Sequence, residues 1–182
     1  MPKVCRLFSP DELDKAAPHI AFEILHFRCY AKLKSDQHLH RLCSAATQAV
    51  GYCLLLHLRL LIDFFFCAPT HDDCHVVHFR MLPGFMDAFP PELHPMTEGT
   101  KKVSASLNKL LAHFTATRWE EHRPAWDYYE EYVPVIHRLT ERFEAALPST
   151  TKAAYDDGYR QWRHHASSLN LQVKRIFIAD AL

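Results

Sequence analysis

Between Leu39 and Phe65 the apolar residues Leu39, Leu42, Ala46, Val50, Leu54, Leu58, Leu61 and Phe65 return every three or four positions, and no proline interrupts them until Pro69. That period lies on one stripe of an α-helix and predicts a single long helix, capped by Ser35-Asp36. Its second half, LLLHLRLLIDFFF over 54–66, is apolar nearly all round. A helix without a polar face has to be surrounded, so the rest of the chain is expected to pack about it. His57, Arg59 and Asp63 interrupt the greasy run from Cys53 to Ala68 and are costly in lipid, which points to a buried core helix and no membrane span.

The flanking segments supply partners for that helix. Ser9-Pro10-Asp11-Glu12 is a helix start: a hydroxyl cap, a proline where a missing N–H does no harm, and acids near the positive end of the dipole. The helix that opens at about residue 10 carries Ile20, Ile24, Phe27 and Ala31 on one face and is expected to end near Lys34, with Pro18 kinking it or starting a second helix. Helical period returns with Val103, Leu107, Leu110, Leu111 and Phe114. It returns again from Trp126 through Val133, Ile136, Leu139, Phe143 and Leu147, with a bend at Pro134.

Between these blocks, residues 68 to about 100 hold Pro69, Pro83, Gly84, Pro90, Pro91, Pro95 and Gly99, a density of breakers that predicts a long, extended excursion with one or two short turns. Beyond Pro148 the pattern weakens; a further short helix is expected, and VKRIFIA (173–179) is the one β-like stretch. The reading is an all-α fold, a four- to five-helix up-down bundle with one long crossover loop. Residues 1–147 would form the bundle and residues 148–182 a C-terminal extension packed on it.

Lys+Arg and Asp+Glu balance at 21 each, which excludes the global basic field of a strong nucleic-acid binder and leaves room only for local contacts. The opening MPKVCRLFSPDELDK lacks the apolar stretch of a secretory signal. The 6 cysteines include no CxxC pair. Reduced thiols and a cytoplasmic location are expected.

Within Leu107-Asn108-Lys109-Leu110-Leu111-Ala112-His113-Phe114, the polar residues Asn108 and His113 stand five apart on a helix. This resembles the signature of the HEPN domain, a helical bundle associated with RNA and nucleotides, whose pattern is Arg, a polar residue, three mostly apolar residues, then His. HLRLLIDFF (57–65), Asp72-Asp73, the 108–115 run, Arg118 and Trp126 follow in the order of a HEPN-like bacterial family, over roughly residues 20 to 147. The resemblance implies a homodimer and, in the family's nucleases, metal-free RNA cleavage with His113 moving a proton, helped by Lys109 and by Arg59 or Arg118. Asn108 occupies the family's arginine position and cannot make a charge-assisted bidentate contact with phosphate. The expectation is an RNA/nucleotide-associated or protein-interaction module with weak or absent catalysis; a ribonuclease using His113 is the alternative.

Other constellations carry competing readings. His57, Arg59, Asp63, Asn108 and His113 read in preference to an active site as a buried polar network tying the two central helices together, with Arg59 and Asp63 paired four apart. Among 14 histidines, His71, Cys74, His75 and His78 include i,i+4 pairs suited to zinc, and His19, Glu23 and His26 share a helix face. A metal-binding bundle is the third reading, but neither group closes a ligand set, so no cofactor is expected and a solvated loop is favoured for the first group. Arg160-Gln-Trp-Arg-His-His165 repeats the Arg-to-His spacing and offers a basic-aromatic patch for RNA.

Overall fold

The Ser9 hydroxyl accepts from the Glu12 amide while the Glu12 carboxylate accepts from the Ser9 amide at 2.9 Å, closing a capping box at the start of helix α1, Pro10–Lys34. In the computed structural model, which describes residues 6–35, 44–66, 73–89 and 125–179, the chain is an all-α helical bundle. Helix α2 spans Ser44–Phe66, a 3₁₀ turn spans Val76–Met81, the one-turn α3 spans Phe85–Ala88, α4 spans Ala125–Ala146 and α5 spans Ser149–Ala179. Among the described residues there is no strand.

α1 runs unbroken through Pro18, and α4 through Pro134, so each proline is absorbed within one helix and Pro18 starts no second one. The last helix corrects a local expectation. VKRIFIA is the end of the 31-residue α5 and not a β-like segment, which shows helical context overriding the preference of its β-branched residues. α5 packs chiefly along α1, and α1 in turn packs on α2. The 18-residue window Ala49–Phe66 is long and apolar enough to cross a membrane, and 61% of it is buried against the rest of the bundle.

The core is apolar stripes from α1, α2 and α4 closed by Tyr155 of α5: Leu13, Ile24 and Phe27 meet Leu54, Leu58 and Leu61, with Ile136, Leu139 and Phe143. Phe143 is its aromatic centre, edge-on to Phe64 at 5.3 Å and to Phe79 at 5.1 Å. The described part of the proline-rich excursion therefore contributes rings to the core while Met81 and Met86 stay exposed. Phe79, Phe85 and Phe89 are all fully buried, and Gly84, at φ 75°, makes the left-handed turn that brings Phe85 inward after Pro83.

Candidate functional site

Asn108, Lys109, His113 and Arg118, which carry the HEPN resemblance, lie outside the described residues, as does His71. Arg59 is within them. It stands on α2 with its Nε 3.7 Å from an Asp63 carboxylate oxygen, one turn along the helix, and both side chains are about 30% exposed. The two stand four apart and side by side as expected, but at the partly exposed helix surface and not within a buried network.

Cys74, His75 and His78 surround the start of the 3₁₀ turn, but not as solvated loop residues. His75 and His78 are each 4% exposed, because the turn places Val76 and Phe79 in the core and carries the imidazoles inward with them. The His75 amide donates to His78 Nδ1 at 2.9 Å, so this nitrogen holds a lone pair and the ring is neutral. Burial, reinforced by the like charge of His75, lowers the His78 pKa against the opposing pull of backbone contacts to His75 and Arg6. Burial pushes the Cys74 thiol up to about 12, so it is a protonated, unreactive group. Among the described residues, no three His, Cys, Asp or Glu side chains converge as a metal ion requires.

The second constellation lies where α1, α2 and α5 meet. Glu23 does not join His19, which is exposed; its carboxylate accepts from His57 Nδ1 at 2.6 Å across the α1–α2 interface. His26 donates from Nδ1 to the Phe22 carbonyl at 2.9 Å, and a carbonyl only accepts, so this proton assignment is fixed by its partner. The His57 ring stacks on Tyr30 at 5.5 Å and on His26 at 5.3 Å, and Trp162 of α5 meets Phe22 edge-on at 4.8 Å. Burial, with a hydrogen-bonded Cys53 beside it, pushes the Tyr30 phenol up to about 12. Sequence spacing missed Tyr30 and Cys53, because the stack is assembled across two helices.

A third polar group also escaped the sequence. Arg28 of α1 clamps Glu144 of α4 with two hydrogen bonds, 2.8 and 3.2 Å, and donates to the Thr140 hydroxyl at 3.1 Å. Thr140 donates onward to the His137 carbonyl at 2.8 Å, and the buried Tyr155 hydroxyl donates to the same Glu144 carboxylate. Burial and the adjacent Glu144 charge raise the Tyr155 pKa; for Arg28, burial pulls down but the bond and charge of Glu144 win and raise it. Thr151 at the start of α5 adds a 2.6 Å bond to Asp14 of α1. These groups tie three helices together.

Of the Arg160-to-His165 patch, Trp162 is half-buried and Arg160 lies 3.3 Å from Asp157, while the His165 side chain lies outside the described part of the structure. A cavity of about 210 Å³ opens on α4, with Val135, Arg138, Leu139 and Arg142 in its wall. No family model, no curated protein and no solved structure matches the chain.

Proposed function

We propose that the chain is a HEPN-like module that associates with RNA or nucleotides, or with a partner protein, as a cytoplasmic homodimer, and that its catalysis is weak or absent. The nucleotide part rests on the resemblance of the 108–115 run. The observation that supports the non-catalytic part is Arg59: it is one of the two cations, with Arg118, that could replace the missing arginine at Asn108, and it already has the Asp63 carboxylate beside it at the helix surface. The same economy holds for Arg28, whose charge is matched by Glu144, and for His57, whose proton is held by Glu23.

The test is paired: binding of a single-stranded RNA by fluorescence anisotropy, and cleavage of the same RNA, for wild type, His113→Ala and Asn108→Arg. Wild type is expected to bind without cleaving, and Asn108→Arg to gain cleavage. The ribonuclease reading replaces this one if wild type cleaves and His113→Ala stops cleavage with the melting temperature unchanged. Light scattering on the eluting protein gives the mass, and a monomer at micromolar concentration would remove the dimer.

A further inference from the structure

Val135, Arg138, Leu139 and Arg142 recur at i, i+3, i+4 and i+7 along α4, so the cavity they border presents two guanidiniums one helical turn apart beside two aliphatic side chains. Leu139 is 4% exposed and forms a dry floor, while Arg138 and Arg142 are exposed. The two carboxylates of this helix nearest the cavity residues in sequence are engaged elsewhere. Glu144 is held by Arg28, and Glu141 lies 3.3 Å from His137. Arg6, Arg28, Arg59 and Arg160 each face an acid, whereas among the described residues no carboxylate pairs with Arg138 or Arg142.

Two like charges spaced by one turn repel, and an anion seated between them reverses the sign of that interaction. The guanidinium fork matches phosphate oxygens in a planar, bidentate way that a point charge does not. At about 210 Å³ the space is smaller than the roughly 300–1,000 Å³ of a drug-sized pocket. It admits a phosphate and part of an attached ring.

From these features we infer that the cavity on α4 receives the phosphate of a nucleotide, with Arg138 and Arg142 flanking the phosphoryl oxygens and Val135 and Leu139 against the attached sugar or base. This inference rests on the nucleotide-associated reading above and gives it a place. The phosphate belongs either to a free nucleoside monophosphate or to the end of an RNA strand, and both present the same chemistry.

The experiment titrates the full chain with AMP, adenosine, inorganic phosphate, and one short RNA carrying either a 5′-phosphate or a 5′-hydroxyl. It is run on wild type, the double variant Arg138→Ala/Arg142→Ala and the double variant Arg138→Lys/Arg142→Lys. AMP should bind more tightly than adenosine or phosphate, weaken with added salt, and lose at least tenfold in the alanine variant at an unchanged melting temperature. The lysine variant should fall between the two, since it keeps the charge and loses the fork. A gain from the RNA 5′-phosphate that vanishes in the alanine variant identifies a strand end as the source; binding of AMP alone identifies a free nucleotide. AMP binding that is absent, or equal in wild type and the alanine variant, overturns the inference. RNA binding that survives unchanged in the alanine variant leaves the RNA reading standing while removing this site.

Discussion

A Cβ placed on Gly158 would sit 2.6 Å from the Cα of Pro18 and 2.7 Å from its Cβ. The two residues mark the point where α5 crosses α1, and no side chain separates the backbones there. Pro18 withholds an N–H from its own helix, and Gly158 costs about 1 kcal/mol in the middle of a helix relative to alanine. Both stand where propensity alone would exclude them, and at Gly158 the reason is the close contact between the two longest described helices, which leaves no room for a Cβ.

Gly158→Ala is therefore expected to destabilise the fold even though alanine is the better helix former. The gain of about 1 kcal/mol in propensity is set against an overpacking cost of about 1–3 kcal/mol, and the atoms met are proline backbone that cannot swing aside. Urea unfolding should show a lower midpoint. Unchanged or increased stability would mean that α5 does not approach α1 this closely.

Much of the bundle was legible because its signals are local. Ser9, Pro10 and Glu12 announce α1, and the stripe through Leu54, Leu58 and Leu61 announces α2 as a surrounded helix. What escaped depends on partners distant in sequence. Phe79, Phe85 and Phe89 were hidden among prolines and glycines, whose density signals turns but says nothing of which aromatic rings the turns carry inward. Glu23 fitted a helix face with His19 and His26, yet its partner His57 lies on another helix. VKRIFIA has β-branched residues whose preference a long helix overrides. Of the candidate site, Arg59, Cys74, His75 and His78 have described positions; Asn108, Lys109, His113 and Arg118 rest on their sequence pattern.

The clamp between Arg28 and Glu144 should be among the costliest polar contacts to break. Arg28→Ala removes two hydrogen bonds to the carboxylate and one to Thr140, and leaves the Glu144 charge beside the buried Tyr155 hydroxyl. Breaking a buried pair costs about 3–5 kcal/mol, and with both side chains about one-fifth exposed the lower end, about 3 kcal/mol, is expected. Glu144→Gln should cost less than Arg28→Ala, since an amide oxygen still accepts from the guanidinium. A loss under about 1 kcal/mol for Arg28→Ala, typical of a surface pair, would contradict the clamp.

Phe143→Ala opens the aromatic centre of the core. The ring is fully buried and has Phe64, Phe79, Phe85 and Tyr155 as neighbours from three other parts of the chain. A loss of about 3–5 kcal/mol is expected, together with faster proteolysis near Phe79 to Phe89, since those rings lose their common neighbour. If cleavage there is unchanged while global stability falls, that segment does not depend on Phe143 for its docking.

The pH dependence of stability should carry a contribution from His78. Its Nδ1 accepts from the His75 amide, a role open only to the neutral ring, and the Phe8 ring at 4.7 Å and the buried His75 supply no negative charge to welcome a proton. The folded pKa is thus held below the ordinary value near 6.5, by burial first and by His75 second. Because the unfolded chain takes up this proton at higher pH, the contribution is complete above 6.5 and is lost as pH falls from there through the folded value. His78→Asn keeps an acceptor for the His75 amide and cannot titrate, so it serves as the reference. The stability difference, wild type minus His78→Asn, should be largest at pH 7.5 and shrink steadily towards pH 5, as measured by urea unfolding at each pH. A difference that holds constant or grows on acidification would show that His78 gains a proton as easily when folded as when unfolded.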